Sequence, residues 1–203
     1  MTRLDKIVLA SSNSAKLKEL QDILAPRNIT LIPQSEFAVE DAVEDGLSFV
    51  ENAIIKARHA SQQTGMAALA DDSGLEVDAL NGEPGIFSAR YAGLSEGREK
   101  NDAANNALLL ENMGQVPEAD RGARFQCCIV LVRFPRDPMP LVCQGSWEGR
   151  ILFSETGRNG FGYDPLFYVP SHDCASAELD PAVKNKISHR SQALQKLLAS
   201  LPV

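Results

Sequence analysis

Apolar positions recur along this chain in two periods, near 3.6 and near 2, and the two alternate in blocks. Residues 6–10 form a short apolar run that reads as a buried strand. Ser11, Ser12, Asn13 and Ser14 follow, all helix-capping types, and then Leu17, Leu20 and Leu24 at helical spacing. Residues 29–33 read as a second strand. An acidic loop over 36–45 ends in Gly46, after which Ser48 and Glu51 have capping-box spacing at the head of a helix reaching about residue 63. Residues 66–70 predict a strand that stops at Asp71-Asp72-Ser73-Gly74. Residues 75–80 alternate like a separate strand with one wet face, up to the turn Asn81-Gly82. The pattern then predicts a helix over 96–113, a hairpin of strands 123–134 and 141–153 joined through Pro135, Pro138 and Pro140, a loop over 159–165, a strand over 166–169, and a last helix capped by Ser188 with Leu194, Leu197, Leu198 and Leu201 as its stripe.

The order β-α-β-α-β, a hairpin-rich middle and a closing β-α implies an α/β fold with a mixed sheet. A Rossmann or barrel repeat does not fit. The 203 residues suffice for one sizeable α/β domain or for two lobes sharing a core. No stretch reaches membrane-span length, and the apolar run after Lys6 is too short for a secretory leader, which predicts a cytoplasmic protein. The four cysteines have neither CxxC nor Cys/His spacing, so buried reduced thiols are expected rather than zinc ligands. Cys127 and Cys128 are adjacent and would face opposite sides of a strand. A net charge of −7 without a long basic run argues against nucleic acid as a partner. A small anion needs only a local group of cations.

Such groups exist. Lys16 falls in a first helical turn, where the helix dipole opposes a cation. An anion bound at the Asn13 cap would stabilise both the exposed amides and the lysine. A solvated lysine behind an ordinary cap is an equal reading. Ser48, Asn52 and Lys56 line one helical face, which is as much as any solvent-side stripe offers. Asp71-Asp72 closes an apolar run, where α/β sheets place ligands. In an extended segment one of the two would reach a metal, while a turn or cap accounts for the other. Hard carboxylate oxygens suit Mg2+, and Glu40, Glu44 or Asp45 in the acidic loop could add a second ligand. Phe161-Gly162-Tyr163-Asp164 joins aromatics to a glycine that lets backbone approach a flat ligand, although such aromatics are more often core. Lys184, Lys186, His189 and Arg190 gather cations at another helix entrance, with donors suited to a purine 6-oxo group or to phosphate.

In order, the segments Ser11–Lys16, Phe49-Val50-Glu51-Asn52-Ala53, Ala70–Leu75, Pro84–Tyr91, Gly160–Pro165 and Ser188-His189-Arg190 resemble the inosine triphosphate pyrophosphatase family over about residues 6–200. The first motif has Ser11-Ser12 where many members carry Thr-Gly. The resemblance implies a single domain over 1–203, an elongated two-lobed α/β fold with an active-site cleft between the lobes, a homodimer, Mg2+ dependence, and hydrolysis of ITP, dITP and XTP to the monophosphate and pyrophosphate. It further implies that Ser11, Ser12, Asn13, Ser14, Ala15 and Lys16 hold the triphosphate with Lys56. Asp72 would bind Mg2+ or act as general base, with Glu40 as second ligand and Ser73 on the substrate. Phe161, within the loop Gly162-Tyr163-Asp164, would stack on the base, and Lys184, His189 and Arg190 would read its 6-oxo edge. Alternatives are a pyrophosphatase for another modified nucleotide, or a nucleotide sensor without catalysis, which would have no need of Asp72.

Overall fold

A computed structural model describes residues 5–11, 14–93 and 101–201. Its sheet contains seven strands in the order β2-β1-β3-β4-β5-β6-β7. These are β1 (Lys6–Leu9), β2 (Thr30–Pro33), β3 (Ala68–Val77), β4 (Gly122–Val132), β5 (Leu141–Ile151), β6 (Phe167–Val169) and β7 (Cys174–Ala175). The helices are α1 (Ser14–Leu24), α2 (Phe49–Thr64), α3 (Asp102–Asn112), α4 (Pro181–Ile187) and α5 (His189–Ser200). Strand β1 runs parallel to β2 and β3, while β6 runs antiparallel to β5 and β7, so the sheet is mixed as expected.

The chain divides into two compact units. One comprises residues 1–72, 127–145 and 190–203, the other 73–126 and 146–189. In the first unit the sheet is buried on both faces, and strand alternation sorts its residues between them. Ile7, Leu9, Leu69, Cys127, Ile129 and Leu131 pack with Leu20 and Leu24 of α1 and Leu194 and Leu197 of α5. Val8, Ala68, Ala70, Cys128, Val130 and Val132 pack with Ala53, Ala57 and Ala60 of α2. Alanines on that face of α2 leave little between helix and strands. Cys127 and Cys128 do face opposite sides, and both are buried free thiols. The second unit has its own core, with Leu75, Val77, Phe125, Trp147, Tyr163 and Phe167 among its members, closed by Leu109 and Met113 from α3 and its C-terminal turn.

The start of α2 is as read. Ser48 Oγ accepts from Glu51 N–H, and the Glu51 carboxylate accepts from Leu47 N–H at 2.9 Å, an arrangement worth about 1 kcal/mol. Gly65 closes the helix with φ 69°.

Elsewhere the structure differs from the pattern. The strand read as ending at Ala70 continues to Val77, so Asp71, Asp72, Ser73 and Gly74 lie within β3. The physical reason is that both carboxylates find cations from distant parts of the chain, which removes the cost of placing them in a strand. Strands β4 and β5 end two residues earlier than expected. The helix read as starting at 96 begins at Asp102, where Asn101 Oδ1 accepts from Ala104 N–H at 3.0 Å; residues 94–100 lie outside the described residues. Helix α4 was not foreseen, although Asp180 caps it and Pro181 opens it, a common helix start. No helix among the described residues is long and apolar enough to cross a membrane.

Candidate active site

Alternation along β3 sends its two acidic side chains to opposite faces of the sheet. Asp71 shares the Leu69 face, towards α1 and α5. Its carboxylate pairs with Lys16 Nζ through Oδ1, and Oδ2 accepts from Arg190 Nε at 3.1 Å and from the Cys127 thiol at 3.0 Å. The Asp71 side chain is fully buried. Burial alone would raise its pKa, but Arg190 and then Lys16 outweigh burial and hold the carboxyl well below the usual carboxylate range. Burial, followed by the Asp71 charge, pushes the Cys127 thiol up, so that it acts as a proton donor. Both cationic helix entrances noted above thus converge on one carboxylate. It is an anion of the kind that their helix dipoles favour.

Asp72 faces α2. Lys56 Nζ lies 2.6 Å from its Oδ1 and 3.4 Å from Glu44 Oε2. Asp72 Oδ2 is buried and has no hydrogen-bond partner among the described residues. Burial raises the Asp72 pKa, and the opposing attraction of Lys56 does not cancel it. On Lys56, burial is the largest effect and lowers the pKa, but Asp72 and Glu44 together outweigh it and leave the pKa raised. Lys56 therefore keeps its charge, and Asp72 is a carboxylate of raised basicity with one uncommitted oxygen.

Glu40 is exposed, and its backbone carbonyl lies 3.0 Å from His59 Nε2. The acidic-loop carboxylate beside Lys56 is that of Glu44. Ser11 is half-buried just after β1, Ser14 and Ala15 open α1, and Ser12 and Asn13 lie outside the described residues. Ser73 is half-buried on β3.

Of the residues expected at the base, Phe161, Lys184 and His189 belong to the second unit, and Arg190 belongs to the first, where it pairs with Asp71. Lys184 Nζ lies 2.5 Å from Asp164 Oδ2 and 5.2 Å from the centre of the Phe161 ring. Asp164 also accepts from Phe161 N–H at 2.8 Å and from Ser176 Oγ at 2.8 Å, so its carboxylate organises the loop that carries Phe161. Gly160 has φ 78°, and a Cβ there would run into the Asp164 carboxylate. Tyr163 is buried and donates its hydroxyl to the Ser88 carbonyl at 2.8 Å. His189 is buried and stacks on Phe125, with ring centres 4.9 Å apart and planes 13° apart.

The sequence pattern brought out Lys16, Lys56, Asp72, Lys184 and Arg190 but not the central place of Asp71, which read equally as a cap. Strand alternation carries the missing signal, since it puts Asp71 on the face that Leu69 shares with Cys127. Among the described residues, no group of three or more His, Cys, Asp or Glu is arranged to hold a metal ion.

Taken together, the mixed sheet carries two lysine-paired aspartates on one strand. The chain belongs to the Ham1 family, whose model matches residues 7–200. It is 56% identical over 196 residues to a dITP/XTP pyrophosphatase of Vibrio parahaemolyticus, covering 97% of this chain and 96% of that one. A dITP/XTP pyrophosphatase of Pseudomonas aeruginosa is 55% identical over 197 residues, 97% of each chain. Among solved structures, a HAM1 protein from Coxiella burnetii matches with TM-score 0.88 and 55% identity, over 96% of both chains. The Ham1 protein of Staphylococcus aureus matches with TM-score 0.84 and 42% identity, again over 96% of both.

Proposed function

We propose that this chain hydrolyses non-standard purine nucleoside triphosphates, dITP and XTP foremost, to the nucleoside monophosphate and pyrophosphate. The similarity to enzymes of that name spans nearly its whole length. The structural observation that carries the reading is Asp72: a buried carboxylate of raised pKa, paired with Lys56 through Oδ1 and uncommitted at Oδ2. A sensor that only bound nucleotides would gain nothing from keeping such a group, because an unmade buried acceptor costs about 1–3 kcal/mol.

In this reading Asp72 Oδ2 orients a water molecule and accepts its proton as the water oxygen bonds to the α-phosphorus. The bond from that phosphorus to the bridging oxygen breaks, and pyrophosphate leaves with the electron pair. Lys56 and Lys16 neutralise charge on the triphosphate as it redistributes. Holding Asp71 to Lys16 and Arg190 keeps both cations in place before substrate arrives.

The residues also fit a Mg2+ ion. Asp72 Oδ2, in place of its role as base, and the Glu44 carboxylate would offer hard oxygen donors, and the small protein donor set suits an ion that keeps waters and phosphate oxygens in its shell. When bound, Mg2+ supplies charge neutralisation on the triphosphate oxygens.

Phe161 stacking against the base adds affinity worth about 1–3 kcal/mol, and discrimination rests on donors from Lys184, His189 and Arg190 that match a 6-oxo group. An adenine amino group would face donors and leave them unpaired, which polar sites reject strongly. As a free-nucleotide enzyme the chain would act in the cytoplasm, and a homodimer is the assembly that the family resemblance implies. The test is pyrophosphate release from XTP and dITP with added Mg2+. Retention of intact nucleotide, with or without binding, would overturn the enzymatic reading.

A further inference from the structure

Gly162 is held on both sides of its backbone by one face of α3. Its N–H donates to Asp102 Oδ2 at 2.7 Å, and its carbonyl accepts from Asn106 Nδ2 at 3.2 Å. Asp102 and Asn106 are four residues apart and so share a helical face. The other hydrogen of Asn106 Nδ2 goes to Glu155 Oε1 at 2.9 Å. Gly162 has φ 62°, a left-handed conformation that glycine adopts without strain. It follows Phe161 directly, so fixing its peptide fixes the direction in which the Phe161 side chain leaves the loop.

Asn106 is 3% exposed, and its Oδ1 has no hydrogen-bond partner among the described residues. An apolar side chain of similar size would avoid the cost of that buried acceptor. Stability alone therefore does not account for an amide at this position. What the amide supplies is two donated bonds, to Glu155 and to the carbonyl of Gly162.

We propose that Asp102 and Asn106 are positioning residues for base recognition. They clasp Gly162, present the Phe161 ring in one orientation, and thereby hold a stacked base in register with the donors that read its 6-oxo edge. The proposal rests on the reading that Phe161 stacks on the base. Misplacing a recognition group by about 1 Å costs on the order of a hundredfold in rate, so a lost clasp is measurable.

The experiment compares wild type with Asp102→Ala, Asp102→Asn and Asn106→Leu in the full chain. It reads kcat and KM for XTP and ATP, the XTP dissociation constant by calorimetry in EDTA, and the melting temperature. For Asp102→Ala and Asn106→Leu we expect KM and Kd for XTP to rise by about tenfold or more and the XTP-over-ATP ratio of kcat/KM to fall similarly, with kcat on saturating XTP within about threefold. Asp102→Asn keeps an acceptor oxygen for Gly162 N–H and should stay within about threefold of wild type throughout. Asn106→Leu gives up its bonds to Gly162 and Glu155 and should melt a few degrees lower while remaining folded, so Kd and the ratio are read well below its melting temperature.

If KM, Kd and the ratio are unchanged in the variants, or kcat alone falls, the clasp is overturned. Should Asp102→Ala fail to fold, Asn106→Leu carries the same readouts. A wild type that binds XTP without cleaving it refutes the proposed hydrolysis, while Kd still tests the clasp. A wild type that neither binds nor cleaves XTP overturns both.

Discussion

Asp71 and Asp72 are neighbours on β3, yet they take their cations from opposite faces of the sheet. Asp71 binds Lys16 and Arg190 on the face of α1 and α5, and Asp72 binds Lys56 on the face of α2. The pleat of a strand is sufficient cause. The consequence is a division of labour, with one carboxylate fully engaged and the other partly uncommitted.

Asp72→Asn separates function from stability. Burial raises the Asp72 pKa despite Lys56, so charging this carboxyl is harder in the folded state than in the unfolded chain. Removing that charge should leave the melting temperature at neutral pH unchanged or slightly higher. Turnover should fall by about a hundredfold or more, the usual effect of losing a general base. A clear drop in melting temperature with turnover kept would remove Asp72 from the catalytic role.

Asp71 behaves in the opposite way. Its folded-state pKa lies below the unfolded value, so its stabilisation is fully present above the ordinary carboxylate range and is lost as pH falls towards the folded pKa. Asp71→Asn should therefore destabilise the protein at neutral pH, by about 3–5 kcal/mol if it behaves as a broken buried pair. The difference from wild type should shrink on acidification. Melting curves from pH 7 down to about pH 3 check this. A constant difference across that range would mean that the Asp71 charge is not the source.

Glu44 rather than Glu40 stands beside Lys56 and Asp72. Glu44→Gln should raise the Mg2+ concentration needed for half-maximal activity by about tenfold or more. If Glu40→Gln produces that shift and Glu44→Gln does not, the second ligand is Glu40 after all.

Gly160→Ala tests the loop under Phe161. A left-handed φ and the contact with Asp164 both oppose a side chain. A cost of about 1–3 kcal/mol is expected from the backbone alone. At roughly 2–4 °C per kcal/mol for a chain of this size, the melting temperature should fall by several degrees. No change in scanning calorimetry would contradict the packing described.

Most helices and strands were legible in the sequence, because caps such as Ser48 and stripes such as Leu17-Leu20-Leu24 are local. The middle of β3 was not. Asp71-Asp72-Ser73-Gly74 looks like a strand end, and what keeps it in the sheet is Lys16, 55 residues away, and Arg190, 119 residues away. For the same reason Lys16 and Arg190 could be recognised as cations awaiting an anion, but not as partners of a single carboxylate. Glu44 could not be told from Glu40, since an acidic loop without periodicity gives no direction to its side chains. Helix α4 has its local signal in Asp180-Pro181, a capping residue followed by proline at the first helical position.

The central claim is hydrolysis between the α- and β-phosphates of non-standard purine nucleotides. Its most direct test is to measure pyrophosphate and orthophosphate release from XTP, dITP, ITP, GTP and ATP, each with Mg2+ and with EDTA. Rapid, metal-dependent release of pyrophosphate from XTP, dITP and ITP, with little from ATP, is the expected result. Release of orthophosphate, equal turnover of ATP, or no turnover at all would contradict it.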